Sequence, residues 1–176
     1  MTNPDKFLAA TIVDRRAVAD DLFVLHVDTG GDFSFLAGQY ATLGVEVDSK
    51  RIERPYSICS SPYEKNLEFF VERVPEGELT PILYAMDNGA PLLLRRFAKG
   101  RFTLDLRSGR KNHFLLATVT GIAPYTSYIR TLYSDWKRAV LRCPANTGCF
   151  VSRAPAGRAS LATATNWSRP RPRHRG

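Results

Sequence analysis

Arg54-Pro55-Tyr56-Ser57, followed by Ile58-Cys59-Ser60-Ser61-Pro62, is the stretch on which the reading of this chain turns. Four neighbouring positions hold a guanidinium, a rigid turn residue, a flat phenol and a hydroxyl. A guanidinium grips a diphosphate through charge-assisted hydrogen bonds. An aromatic ring packs against a planar heterocycle, and a hydroxyl both donates and accepts, so it can address a ring nitrogen. Together they suit a large, planar, anionic cofactor such as a flavin dinucleotide. An edge strand ending in a polar turn is the alternative, because four residues alone make a weak motif.

Outward from this motif the first hundred residues read as β-structure. The segments are Phe7–Val13, Leu22–Val27, Gln39–Val45, Arg54–Cys59, Leu67–Val74, Leu92–Phe97 and Arg101–Leu106, with turn signals such as Gly30-Gly31 between them. Short strands so punctuated predict an antiparallel barrel. One helix interrupts them at Pro81–Met86: Thr80 is placed to cap it, Pro81 suits its first position, and Asn88-Gly89 its end.

Past Gly109 the texture changes. His113–Val119 is a nearly continuous apolar run, of the kind buried on both faces of a parallel sheet. A turn, Thr120-Gly121-Ile122-Ala123-Pro124, leads into helical spacing from Tyr125 to Trp136, with Tyr125, Ile129, Leu132 and Trp136 near one face. Strand, turn and helix in this order open a βαβ nucleotide-binding unit.

The net charge of +8 is unevenly spread. Residues 1–136 hold 16 basic and 17 acidic side chains, a net of −1, whereas 137–176 hold nine basic residues and no acid. The basicity therefore belongs to the last forty residues and does not mark a nucleic-acid-binding surface on the folded part. Residues 137–176 lack periodicity and are expected to form an aberrant, disordered basic tail, the product of an out-of-frame read. Cys59, Cys143 and Cys149 make neither a disulfide framework nor a metal site. His26 and His113 read as strand residues, and Arg95-Arg96 and Lys99-Gly100-Arg101 as solvated loops. With no apolar run of membrane-spanning length and no secretory leader pattern, a cytoplasmic, membrane-free location is expected.

Arg54–Ser57, Gly77-Glu78-Leu79-Thr80, Gly100-Arg101-Phe102-Thr103-Leu104-Asp105 and Leu115–Pro124, in this order, resemble the bacterial branch of the ferredoxin–NADP reductase family. The resemblance covers roughly residues 5–136. It implies a six-stranded antiparallel flavin-binding barrel over 1–108, then an incomplete Rossmann-like NADP-binding domain that begins over 109–136. It implies FAD as cofactor, NADP(H) as substrate, and ferredoxin or flavodoxin as the electron-carrying partner, with NADPH oxidation by this chain expected to be weak or absent because most of the NADP-binding domain has no counterpart here.

The resemblance also implies roles. Arg54 pairs with the flavin diphosphate, Pro55 shapes the motif, Tyr56 packs on the isoalloxazine, and Ser57 lies near its N5 edge as the catalytic residue. Phe69, Phe70 and Val71 match the strand beside the flavin, with plain barrel core as the alternative for the two phenylalanines. Glu78, Leu79 and Thr80 match the segment that closes on the diphosphate, near a helix N-terminus that favours anions; a simply capped helix is the alternative. Thr118, Thr120 and Gly121 match a Thr-Gly-Thr-Gly turn where nicotinamide meets flavin. Val119 departs from that turn, standing where the family has glycine. A β-branched residue there is costly if the position needs positive φ. A related flavin or oxygenase reductase, and a non-catalytic flavin-binding remnant, are the alternative functions.

Overall fold

In the computed structural model the alternation of apolar and polar side chains becomes a curled antiparallel sheet. Residues 6–105, 108–109 and 112–138 are described, together with the backbone of 149–154. Strands β1 (Phe7–Ala17), β2 (Leu22–Asp28), β3 (Tyr40–Val47), β4 (Lys50–Ser57), β5 (Leu67–Glu72) and β6 (Pro91–Arg95) lie in the order β4-β3-β6-β1-β2-β5. The two edges meet where Ile58 bridges Phe69 and the Cys59 N–H donates to the Glu68 carbonyl at 2.7 Å. The sheet thus curls until its two edge strands touch at this point.

Period-two alternation fills the interior. Leu8, Ala10 and Ile12 of β1 share the interior with Phe23, Leu25 and Val27 of β2 and with Leu43, Phe69, Val71, Leu92 and Leu94 from the other strands, all buried. The β3–β4 hairpin sets the register that matters most. Asp48 and Ser49 both have positive φ (50° and 62°), as a two-residue type I′ turn requires. That turn pairs Val47 with Lys50, Leu43 with Arg54 and Ala41 with Tyr56. Directly paired residues share a sheet face, so Arg54 and Tyr56 lie on the face of buried Leu43 and Ala41. A slip of one residue would put both on the outside.

The short helix α1 (Thr80–Ala85) seals one end of the barrel with Leu83 and, just before it, Leu79. These residues stand four apart on one helical face, and burying each contributes about 1.5–3 kcal/mol. The helix stops sooner than expected, at Ala85. Thr80 is not its cap but its first residue, because its hydroxyl is taken by the backbone of Val74, accepting from the N–H at 2.9 Å and facing the carbonyl at 3.3 Å.

Strand β7 (His113–Thr118), a 3₁₀ turn (Val119–Ile122) and helix α2 (Ala123–Lys137) form the expected strand–turn–helix unit. Several details differ from expectation. No strand forms over Arg101–Asp105; Leu106 lies outside the described residues. The backbone there bonds elsewhere: Gln39 Nε2 donates to the Gly100 carbonyl at 3.1 Å, and the Tyr128 hydroxyl donates to the Phe102 carbonyl.

The face that α2 buries is Ala123, Pro124, Ser127, Tyr128 and Asp135, not the Tyr125–Trp136 stripe, and Trp136 is 59% exposed. The helix docks by hydrogen-bond complementarity. Ser127 Oγ donates to the Ser60 carbonyl at 2.7 Å, Thr131 meets Ser61 at 3.2 Å, and Tyr63 donates to Asp135 at 2.6 Å. Arg130 pairs with Glu64 (3.3 Å) and Glu68 (2.9 Å). Apolar periodicity could not show a face of this kind.

The run His113–Thr118 is covered on one face alone: Phe114 and Leu116 are 75% and 66% exposed. Finally, a strand lies inside the stretch expected to be disordered. β8 (Cys149–Ala154) pairs in parallel with β7 along its whole length, and its Cys-Phe-Val start has the β-propensity such an edge recruits. Residues 139–148 and 155–176 lie outside those described.

Arg95 is not a solvated loop residue either. It ends β6, its Nε 2.6 Å from a Glu53 carboxylate oxygen and its guanidinium 5.6 Å from the centre of the Phe7 ring. His26 is a strand residue, as expected, and its Nε2 lies 3.1 Å from Glu68. Among the described residues no helix is long and apolar enough to cross a membrane.

Candidate functional site

Strands β4 and β5 touch only near Ile58 and Phe69, then diverge. The seam between them opens into a cleft of about 430 Å³, walled by Arg54, Pro55 and Tyr56 on one side and Phe70, Val71, Glu72 and Val74 on the other. Gly77, Glu78, Leu79 and Thr80 form its end, and Thr120 of the 3₁₀ turn reaches its margin. Residues from the Arg54 motif, from β5 and the Gly77–Thr80 segment that follows it, and from the turn before α2 thus meet at one opening.

The walls differ in chemistry. Tyr56 sits half-buried, edge-on to buried Phe69 with ring centres 6.4 Å apart. Burial pushes its phenol up to about 12, with the Arg54 charge pulling weakly the other way. At neutral pH it is therefore a flat, uncharged surface carrying one O–H. Arg54 supplies the cation. Its Nη1 donates to the Glu53 carbonyl at 2.8 Å, and its Nη2 lies 2.5 Å from Glu78 Oε2. Lys50 Nζ meets the other Glu78 oxygen at 3.1 Å. These two cations hold the Glu78 carboxyl below the usual carboxylate range. A planar wall with a cationic end fits a molecule that is aromatic at one end and anionic at the other.

Several predicted residues take other places. Phe69 is fully buried, so the core alternative holds for it, while Phe70 alternates outward and lines the cleft. Leu79 puts its side chain in the core. Ser57 does not line the cleft. It is the last residue of β4, paired with Tyr40, one position out of phase with Tyr56. Thr118 and Gly121 are exposed outside the cleft, leaving Thr120 as the turn's contribution. Lys50, which pairs with Glu78 beside the cleft, and the lining residues Glu72 and Val74 were missed. Lys50 could have been found from the hairpin register, four residues before Arg54 on the same strand; nothing local marks Glu72 or Val74.

Val119 has φ +43°. The position that is glycine in the resembled turn thus keeps a left-handed backbone here, with a β-branched residue in it. Cys59, two residues beyond Ser57, is buried, and burial with nearby Glu68 pushes its thiol up to about 12. It is a packing residue and not a nucleophile.

A barrel closed around an aromatic-and-cationic seam, with a strand–turn–helix unit docked at its margin, belongs to the flavin-dependent oxidoreductases. The family model described as the oxidoreductase FAD-binding domain matches residues 9–108, and the chain belongs to that family. The resemblance to ferredoxin–NADP reductases is borne out by individual relatives. The chain is 36% identical over 134 residues to ferredoxin–NADP reductase A of Sorangium cellulosum, covering 74% of this chain and 48% of that protein. It is 36% identical over 124 residues to the ferredoxin–NADP reductase of Pseudomonas aeruginosa, covering 69% and 48%. Among solved structures, a Neisseria gonorrhoeae ferredoxin NADP+ reductase with bound FAD and NADP superposes with a TM-score of 0.66 at 27% identity, over 74% of this chain and 53% of that one. The chain spans about half the length of the curated relatives it matches.

Proposed function

We propose that this chain binds FAD in the β4–β5 cleft and serves as the flavin domain of an electron-transferring reductase acting between NADPH and a one-electron carrier, ferredoxin or flavodoxin. The carrying observation is the convergence of Arg54, Tyr56, Phe70, Thr80 and Thr120 on one opening. FAD, when bound, supplies the exchange between hydride and single electrons. The chain's own residues bind and orient it. Arg54 offers N–H donors to the diphosphate, and the neutral Tyr56 ring with Phe70 offers the flat wall. Ser57, which ends β4 beside the cleft and not in its lining, supplies the hydroxyl for the ring-nitrogen edge. Thr120 marks the side from which a nicotinamide approaches, where Val119 narrows the way.

Titration of the purified chain with FAD, followed by quenching of flavin fluorescence, tests the reading. Arg54→Gln is expected to weaken binding about tenfold or more, the scale of a lost hydrogen bond to a charged group. Ser57→Ala is expected to leave FAD affinity unchanged while slowing bleaching of the flavin by NADPH. A chain that takes up no FAD, or an Arg54→Gln variant that binds as well as the native chain, would refute it.

A further inference from the structure

The cation of the cleft is already engaged. Glu78, 24 residues away in sequence, comes from the segment at the end of the cleft: one carboxylate oxygen lies 2.5 Å from Arg54 Nη2, the other 3.1 Å from Lys50 Nζ. A carboxylate and a phosphate compete for the same guanidinium edge, since both present paired oxygens to its planar fork. All three side chains are largely exposed, and exposed ion pairs are weak. The arrangement can therefore open at little cost.

The backbone around Glu78 is pinned. The Gly77 N–H donates to the Val74 carbonyl at 2.9 Å, and the Thr80 hydroxyl is bonded to the same Val74. Leu79, between them, is anchored in the core. Turning the Glu78 side chain about its own torsions would break none of these contacts.

We propose that Glu78 is a built-in counter-anion that gates Arg54: the diphosphate of a dinucleotide enters by displacing the Glu78 carboxylate, and this exposes Lys50 as a second cation to the incoming anion. The inference rests on the flavin reading above and adds to it a residue that opposes binding. On this proposal Glu78 opposes the cofactor instead of holding it, although it lies in the segment expected to close on the diphosphate. Among the described residues it is the acid placed on both cations of the cleft.

The experiment compares native chain, Glu78→Gln, Arg54→Gln and the double variant, each checked for folding by circular dichroism. Each is titrated with FAD and, as a probe of the diphosphate alone, with ADP. Glu78→Gln is expected to bind both about fivefold tighter than native, the upper end for an exposed pair. The gain should vanish when Arg54 is also replaced, and should shrink at high salt. Equal or weaker FAD binding by Glu78→Gln, beside normal uptake by the native chain, overturns the gate and leaves the flavin assignment standing. No uptake of FAD by either folded protein overturns the flavin assignment, and the gate with it.

Discussion

Val119 gives the sharpest quantitative test of the structure. Its φ of +43° lies in the left-handed region, where the Cβ of an L-residue crowds the following carbonyl oxygen at a cost of about 1–2 kcal/mol. Glycine escapes this, but its extra freedom in the unfolded chain offsets about 0.5–1 kcal/mol of the relief. Compare Val119→Gly with Val119→Ala. Both lose the same half-buried valine side chain, so the packing loss of about 1 kcal/mol is nearly common to the two. What separates them is the backbone alone. Alanine keeps most of the strain and glycine has none, so the glycine variant should be the more stable by about 0.5–1 kcal/mol.

The sign carries the test. At an ordinary helix or strand position alanine is the more stable by about the same amount. Here the order inverts, and for a chain of this size the glycine variant should melt about 2 °C above the alanine variant. The native protein should lie within about 1 kcal/mol of the glycine variant, because relieved strain and lost packing oppose each other. Urea denaturation followed by circular dichroism measures all three. An alanine variant as stable as the glycine variant would show that Val119 does not hold the left-handed conformation. The steric argument about nicotinamide approach would fall with it.

Other perturbations have equally definite outcomes. Gly38 has φ +90°, and a Cβ there would collide with the Phe102 carbonyl and sit 2.5 Å from the Tyr128 ring; Gly38→Ala should cost about 2–4 kcal/mol in urea unfolding and loosen α2, read as faster amide exchange over 123–137. Leu83→Ala removes a fully buried side chain at the barrel end and should cost about 2–5 kcal/mol, whereas a cost under about 1 kcal/mol would mean that α1 does not seal the barrel. The Tyr56 and Tyr128 phenols are both raised to about 12, chiefly by burial. A raised value means that the folded state holds its proton after the unfolded chain has released it, so stability is fully present below about pH 10 and falls between pH 10 and 12; Tyr56→Phe should flatten part of that fall. Cys59, with its thiol also near 12, should resist iodoacetamide at pH 8 in the native chain and label after unfolding, as mass spectrometry of its peptide would show.

What could be read in advance, and what could not, follows the range over which each signal acts. The strands of the barrel were legible because alternation is a local property: Leu8, Ala10 and Ile12 declare their face within five residues. Proximity of Arg54 and Tyr56 to the Gly77–Thr80 segment was legible only through resemblance, since the seam that joins them depends on β4 and β5 diverging after one bridge. The α2 face was illegible for a physical reason. Its buried side is made by Ser127, Tyr128 and Asp135, whose burial is tolerable only because Ser60, Phe102 and Tyr63 supply partners. A buried serine and a solvent-facing serine look alike in sequence until the partner is known.

The same logic accounts for Glu78. In sequence it is one acid in an anion-binding segment. In the structure it is the acid that answers Arg54 and Lys50. Two cations side by side with no counter-charge would repel each other, and the proposed diphosphate would take over the balancing that the Glu78 carboxylate provides. The residue that departs from expectation within the site is therefore explained by the charge it balances, and Val119 by the backbone it inherits. One concerns the anion and the other the approach of the second nucleotide, so the two can be tested apart: Glu78→Gln should alter FAD affinity without changing the Val119 stability order, and Val119→Gly should leave FAD affinity where it was.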